Sequence, residues 1–326
     1  IQAHLFNELC EIVHIGNDGV YEDEELVDRY SIVFCEAASI DRFVDNLITE
    51  KGVNLKGENI IGHIDIFDPE DVFLLYGNVT SISVHIEDDL NIYNICHKLK
   101  YINADCERYI ERGNCLIEKA SGTCVLVSNL FSGFPEEVKI VNQFAFNGCR
   151  EISKLIIAKN IEEIKMPLFI LNNAIEEIVN DGNENFIVSN NCVIKDKTII
   201  VGCKNSIIAN DGSVTAIGQN AFGSCLSLEY IDIPSNIEII REEAFCACSE
   251  LKRITISTGV RIIEEGAFSR CKKLKTIDID KNNKFFSTDG NCLIDIERKT
   301  LLWGNKDTVI PMSGEVEIIG GSAFAA

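Results

Sequence analysis

A block of sequence repeats every 23 residues between Phe222 and Cys271, and this period constrains the fold more than any other feature. Phe222, Phe245 and Phe268 occupy one repeated position, and a cysteine follows each of them three residues later. The shared pattern is A-F-x-x-C-x-x-L-x-x-I-x-I. A unit of this length is too small to bury its own apolar face, so the units are expected to stack on one another.

The end of each unit alternates as a strand does. Ile231 and Ile233 are expected to point to one side, and Tyr230 and Asp232 to the other. Because the period is constant, these short strands should align in register as a parallel sheet. The predicted strands are 228–233, 251–256 and 274–279.

Some units are longer by about 30 residues, and the extra piece is itself repeated. Each copy is an apolar run, a polar turn and a second apolar run, which predicts an inserted β-hairpin. Such hairpins are expected to widen one side of the stack. The predicted hairpins are 115–127, 192–202 and 292–303.

The stretch IGQNAFGSCLSLEYIDIP (217–234) and its copies resemble the leucine-rich repeats of the BspA type, found in surface proteins of bacteria and some protozoa. The resemblance begins near Ile82 and continues to the C-terminus. It implies a right-handed leucine-rich-repeat solenoid with a parallel β-sheet. It also implies an adhesion or binding role without an enzymatic activity.

We therefore predict a mainly β repeat protein with two regions. Residues 1–78 form an irregular acidic N-terminal cap of small α/β structure, with a capped helix that starts after Ser39 and ends at Gly52. Residues 79–326 form the solenoid of 23-residue units, three of them with hairpin insertions of about 30 residues.

The negative charge is concentrated near the N-terminus. Residues 1–92 hold 20 acidic and 4 basic side chains, which gives −16 of the net charge of −21. This balance argues against nucleic acid, because phosphate binding needs a basic footprint. It also disfavours anionic lipid. No run of 18 uncharged apolar residues exists, so the sequence predicts no membrane span.

The fourteen cysteines fall at repeated positions rather than in a disulfide framework. One position holds Cys in most units and Asn172 in another, which indicates a small side chain inside a turn. A row of equivalent cysteines in successive units cannot all pair. We predict that Cys225, Cys248 and Cys271 are buried and reduced, which suits a reducing compartment or an anaerobic organism.

Signatures of catalysis and of cofactor binding are weak. All five histidines precede residue 98, and no nucleotide-binding, hydrolase or zinc-protease motif occurs. Cys10 with His14 and His4 is a poor zinc candidate, and the C-x-C at Cys246 and Cys248 a poor redox pair. Two oxygen-rich loops, at 181–185 and 278–289, are better explained by turn formation than by Ca²⁺ binding. We predict no cofactor and no metal.

The outward side chains of the repeated strands remain as the candidate concave binding face. Their composition is mixed and includes only two aromatic residues, so a protein partner is favoured over carbohydrate. The candidate binding residues are Tyr101, Asn103, Lys154, Ile156, Glu177, Val179, Tyr230, Asp232, Arg253, Thr255, Thr276 and Asp278.

We predict a non-catalytic binding or adhesion protein, extracellular or on the cell surface, with a host or bacterial surface protein as its partner. The chain starts at Ile1 without a candidate targeting segment, so this location rests on the resemblance alone. An intracellular interaction scaffold is the first alternative, motivated by the reduced cysteines. An enzyme that uses the acidic N-terminal region is the second.

Overall fold

The structure is a computed structural model of the chain. It describes backbone and side chains at 80–86, 98–166, 174–289 and 291–325. It describes the backbone alone at 10–16, 21–22, 25–26, 29–34, 63–66, 73–75 and 92–94. The described residues contain no helix, and therefore no helix that could cross a membrane.

Twenty-nine short strands make up the described regular structure. The first fifteen are β1 (Cys10–Gly16), β2 (Tyr21–Glu22), β3 (Glu25–Leu26), β4 (Arg29–Phe34), β5 (His63–Ile66), β6 (Phe73–Leu75), β7 (Ser81–Val84), β8 (Ile92–Asn94), β9 (Tyr101–Ala104), β10 (Tyr109–Arg112), β11 (Cys115–Glu118), β12 (Thr123–Val127), β13 (Ile140–Val141), β14 (Lys154–Ala158) and β15 (Glu163–Ile164). The others are β16 (Glu177–Asp181), β17 (Ile187–Ser189), β18 (Cys192–Lys195), β19 (Thr198–Gly202), β20 (Ala216–Ile217), β21 (Tyr230–Ile233), β22 (Ile239–Ile240), β23 (Arg253–Ile256), β24 (Ile262–Ile263), β25 (Thr276–Ile279), β26 (Phe286–Asp289), β27 (Cys292–Asp295), β28 (Thr300–Gly304) and β29 (Ile318–Ile319).

Two sets of parallel strands alternate along the chain and form the two sides of a β-solenoid. We call the first set ladder A; it contains the sheets β5-β7-β9, β14-β16 and β21-β23-β25. We call the second set ladder B; its parallel stretches are β12-β13-β15, β19-β20-β22-β24 and β28-β29. The chain passes from one ladder to the other within each unit, which is the geometry of a solenoid.

The predicted strands and their parallel register are confirmed. Tyr230 pairs with Arg253, and Arg253 with Thr276, so each step along ladder A equals one 23-residue period. Ile231 and Ile233 are buried, whereas Tyr230 is exposed. The alternation therefore sends the isoleucines to the core and the intervening residues to the surface.

The repeated phenylalanines stack along the solenoid core. The ring of Phe245 lies 5.0 Å from that of Phe222 and 5.8 Å from that of Phe268, with the planes within about 15° of parallel. All three rings are at most 3% exposed. The period itself produces this stack, because equal positions in neighbouring units come to lie directly over one another.

The cysteine position of the repeat is explained by a hydrogen bond across units. The thiol of Cys248 donates to the carbonyl oxygen of Phe222 at 3.0 Å, and the thiol of Cys271 to that of Phe245 at 3.1 Å. Both are buried, whereas Cys225 is partly buried, and all three are free thiols. A small side chain with a weak donor can satisfy a turn carbonyl without disturbing the core.

An asparagine at the bend after a ladder A strand ties its unit to the preceding one. Nδ2 of Asn183 donates to the carbonyl oxygens of Ala158 and Ile161, both at 2.7 Å, and its Oδ1 accepts from the N–H of Phe186. These carbonyls lie at a bend, so the buried amide takes the place of a strand partner. Corresponding pairs of bonds are made by Asn160, Asn236 and Asn283.

The three predicted hairpins form, and each belongs to a three-stranded antiparallel part of a larger sheet, in which the last of the three strands also pairs in parallel with ladder B. We call these three-stranded parts partition sheets: β10-β11-β12 is the first, β17-β18-β19 the second and β26-β27-β28 the third. The turns before the first and second hairpins have two residues each, as at Asn190 and Asn191 with φ of 49° and 60°. Positive φ at both positions is what a tight two-residue hairpin turn requires, and asparagine tolerates it.

The central strand of each partition sheet is buried on both faces. Val193 packs into the apolar cluster that contains Phe146, while Cys192 and Ile194 pack into the cluster that contains Phe222. This burial does not test the expectation that the hairpins widen one side of the stack, which stays a prediction. Successive strand residues point to opposite faces, so an apolar run supplies surface to the cores on either side. The equivalent residues are Cys115, Leu116 and Ile117, and Cys292, Leu293 and Ile294.

At the N-terminus, β1 pairs antiparallel with β4, and β5 pairs parallel with β7. Ladder A thus includes one strand, β5, that precedes residue 79, although the boundary at 78/79 itself stays a prediction. The helix predicted between Ser39 and Gly52 lies outside the described residues.

We predict that Phe245→Ala lowers the free energy of unfolding by about 3–5 kcal/mol, because it removes a fully buried ring stacked on both sides. Phe324 occupies the same repeat position but is 45% exposed, so Phe324→Ala should cost less than half as much. Denaturant titration of both variants measures this. Equal losses, or a larger loss for Phe324→Ala, would contradict the register described here.

We also predict that iodoacetamide at about pH 8 leaves Cys192, Cys225 and Cys248 unmodified in the native protein. Burial raises the pKa of Cys192 to about 11 and that of Cys225 to about 12, and it raises the pKa of Cys248 well above its usual value. In denaturant without reductant, all three should react, as read by mass spectrometry. Thiols that stay blocked in denaturant would show oxidation and refute this prediction.

Candidate functional site

The twelve candidate binding residues lie on the outer side of ladder A, which we call the A-surface. The structure brings them together in three groups that belong to different sheets. Tyr101 and Asn103 are on β9, and four residues are on β14 and β16. The remaining six are on β21, β23 and β25. The partition sheets follow β9, β16 and β25 in the chain, so the A-surface is a series of patches.

The middle patch is apolar in its second row. Ile156 pairs in register with Val179, and both side chains are half-buried. Beside them, Lys154 Nζ lies 3.0 Å from Glu177 Oε2. The charged pair therefore borders an aliphatic pair on the two adjacent strands.

Ile207 holds the same repeat position beyond the turn of the second partition sheet, and it was not among the predicted residues. Asn236 bonds the carbonyl of Ala209 as Asn183 bonds that of Ala158, so Ile207 occupies the position equivalent to Ile156. Its side chain is 69% exposed. The sequence signal was the repeated I-I-A at 156–158 and 207–209, which the preceding hairpin insertion concealed.

The turn of the second partition sheet lies between β16 and the Ile207 segment. The N–H of Ile178 donates to Oδ1 of Asn191 at 3.0 Å, and the N–H of Ile207 donates to the carbonyl of Asn190 at 3.0 Å. The side-chain oxygen of Asn191 thus replaces the backbone carbonyl of a neighbouring strand as the acceptor for β16. The middle patch consequently combines aliphatic side chains with a polar turn.

The third patch is polar, and its side chains pair across strands. Arg253 donates to the carboxylate of Asp278, and the hydroxyl of Thr255 donates to Asp232. Such exposed pairs contribute between about 0 and 1 kcal/mol each, so a partner can replace them at little cost. Thr276 completes the first row of this patch.

Tyr230 is the main exposed aromatic residue of the third patch, at 59%. Nζ of Lys252 lies 5.6 Å from its ring centroid and 2.6 Å from Oε2 of Glu229. The hydrogen bond to Glu229 raises the pKa of Lys252, so this cation stays charged over the physiological range. Tyr230 therefore presents an exposed ring beside a positive charge.

The predicted metal and redox candidates are placed as follows by the described side chains. No group of three or more His, Cys, Asp or Glu residues among them is placed to hold a metal ion. Asp280 accepts bonds from the backbone and side chain of Asn282, and Asn183 serves the inter-unit bonds, so both oxygen-rich loops are turn structures. Cys246 accepts a bond from Ser269 at 3.2 Å, and burial raises the pKa of its thiol.

Two of the N-terminal candidates are placed by their backbone alone. Cys10 and His14 lie four residues apart in β1, which corresponds to about 13 Å along a strand. One zinc ion cannot bridge that distance. His4 lies outside the described residues.

Comparison with solved structures gives several leucine-rich repeat proteins. A leucine-rich cell surface protein from Faecalibacterium prausnitzii is 22% identical, with 66% of this chain and 59% of that chain covered and a TM-score of 0.37. A leucine-rich repeat protein from Eubacterium ventriosum is 14% identical, with 66% and 59% covered and a TM-score of 0.40. The pneumococcal vaccine antigen PcpA is 15% identical, with 78% and 65% covered and a TM-score of 0.38.

This chain thus spans 59% of the length of the first two of these proteins. No curated protein sequence matches it significantly. A family model of the BspA type leucine-rich repeat region matches six copies, at residues 127–193 and 183–292. Together these matches cover 127–292, just over half of the chain, and they include the stacked phenylalanines, the asparagine bends and the second partition sheet. The chain belongs to the BspA-type leucine-rich repeat family.

Proposed function

We propose that this chain is a non-catalytic binding protein, located at the cell surface or secreted, that recognises a protein partner through the A-surface. The observation that carries the proposal is that aliphatic side chains, Ile156, Val179 and Ile207, occupy one repeat position within polar surroundings. Protein interfaces typically have an apolar centre and a polar rim. Membership in this repeat family indicates an interaction role without catalysis.

The middle patch is the expected anchor. Ile207 is 69% exposed, and a side chain of the partner that covers it would remove apolar surface from water. Tyr230 lies in the following unit and adds an amphipathic ring, a residue type enriched among interface hot spots. The paired charges on either side favour one orientation of the partner over others.

Carbohydrate is the less favoured ligand. Among the twelve predicted residues only Tyr101 and Tyr230 are aromatic, and they lie on different sheets. Sugar rings are commonly bound on aromatic faces because these offer flat apolar surface. The two rings are separated by at least two partition sheets along the chain, so one oligosaccharide would not use both.

An intracellular scaffold is the second candidate, and the free thiols favour it. Cys225, Cys248 and Cys271 are free thiols, which is the usual state in a reducing compartment. Treatment of intact producing cells with an added protease distinguishes the two locations. Degradation of the full-length chain without lysis supports the surface or secreted location, and complete protection supports the scaffold.

We predict that a photo-crosslinking residue at position 207 captures the protein partner and that Ile207→Glu weakens binding at least tenfold. The substitution removes apolar surface from the centre of the contact and forces a carboxylate to lose its water on binding. Each tenfold loss of affinity corresponds to about 1.4 kcal/mol of binding free energy. Ile187 provides the control, since it is 65% exposed but lies on β17 of a partition sheet.

The captured protein is identified, purified and titrated against the wild-type chain and both glutamate variants. Ile187→Glu should bind as the wild type does. Equal capture from positions 187 and 207, or undiminished binding by Ile207→Glu, would refute the A-surface as the binding site.

A further inference from the structure

The outer side of ladder B carries an apolar row that the proposed function does not use. Ala216, Ile239 and Ile262 pair in register on β20, β22 and β24. The side chain of Ala216 is buried, that of Ile239 is half-buried, and Ile262 is 41% exposed. The inward neighbours Ile240 and Ile263 fill the core, so the outer row is not needed for the packing of the solenoid.

Four charged side chains border this row in an alternating pattern. Glu238 and Arg261 immediately precede the two isoleucines, and their charged groups lie 3.9 Å apart. Arg241 and Glu264 follow the isoleucines by two residues and lie 3.6 Å apart. All four side chains are between 38% and 60% exposed. We call this set, with Ala216, Ile239 and Ile262, the B-surface.

The charges of the B-surface are complementary to those of a second copy that faces it after a twofold rotation. A twofold axis along the ladder places Glu238 opposite Arg241 of a second copy, and Arg261 opposite Glu264. A twofold axis along the strands places Glu238 opposite Arg261, and Arg241 opposite Glu264. In both arrangements every acidic group meets a basic group, and isoleucine faces isoleucine. A surface with this property fits itself, as an isologous twofold contact requires.

We infer that the B-surface binds a second copy of this chain and forms a twofold dimer. A protein of different sequence would need a matching alternation of charge, whereas a second copy supplies it automatically. The contact is small and its rim is polar, so the dimer is weak and forms in the micromolar to millimolar range. The A-surface lies on the other ladder and stays free for its partner.

Sedimentation equilibrium of the full chain over this concentration range tests the inference. The wild type should show reversible dimerisation, and Ile262→Glu should weaken it at least tenfold. Ile207→Glu is the matched control and should dimerise as the wild type does, because it places the same charge at an exposed isoleucine of the middle patch. A wild type that stays monomeric at millimolar concentration would overturn the inference. An Ile262→Glu variant that dimerises as the wild type does would overturn it as well.

A charge-exchange experiment tests the charge complementarity of two B-surfaces, and its outcome does not depend on which twofold axis relates the two copies. The variant Glu238→Arg/Glu264→Arg makes all four positions basic, and Arg241→Glu/Arg261→Glu makes all four acidic. Each variant alone should be monomeric, and an equimolar mixture should form a heterodimer at low salt. Circular dichroism checks that both are folded, which is expected because the changed residues are exposed. Variants that dimerise alone, or folded variants that stay monomeric when mixed, would refute the charge arrangement.

Discussion

Each side chain of the solenoid lies next to its own counterpart one period along the chain, and the rest of the structure depends on this constraint. A position can repeat the same residue only if that residue tolerates contact with itself. Phenylalanine stacks on phenylalanine, and a thiol donates to the carbonyl of the preceding unit. Several charged positions instead place opposite charges side by side, because like charges at this distance repel. Accordingly, Lys139 meets Glu162, and Glu250 meets Lys273, each pair 2.7 Å apart.

The same rule separates what could be predicted from what could not. Core positions repeat their identity, so three strands of ladder A and their register followed from the 23-residue spacing, and the three hairpins followed from the repeated insertion. The asparagine bends show the same spacing from Asn160 to Asn183, but a polar residue at a bend also fits an ordinary turn. The hairpins were predicted, but the burial of their central strands on both faces was not. An apolar run of three residues does not reveal whether one or both faces of a strand are covered.

The candidate surface was predicted only in part, for a related physical reason. Outward residues are under no packing constraint, so their identity varies from unit to unit and carries no periodic signal. The alternation of strands placed twelve of them on one side of the sheet. Ile207 was not predicted because the hairpin insertion displaces its segment from the 23-residue spacing, although the segment occupies the place of a ladder A strand. Its place depends on bonds from Asn236, which only the folded chain reveals.

The partition sheets also determine how such a chain can change in length. Cys115 and Cys192 hold the same place in the first and second partition sheets and are separated by 77 residues, whereas Cys192 and Cys292 are separated by 100. The difference is one 23-residue unit, which matches two ladder A strands in the first interval and three in the second. We call the part of the core between two successive partition sheets a core compartment. Each partition sheet presents an apolar face to both sides, so a unit duplicated or deleted between two of them leaves both sheets unaltered. Gene duplication can therefore lengthen one core compartment by whole turns while the neighbouring core compartments keep their packing.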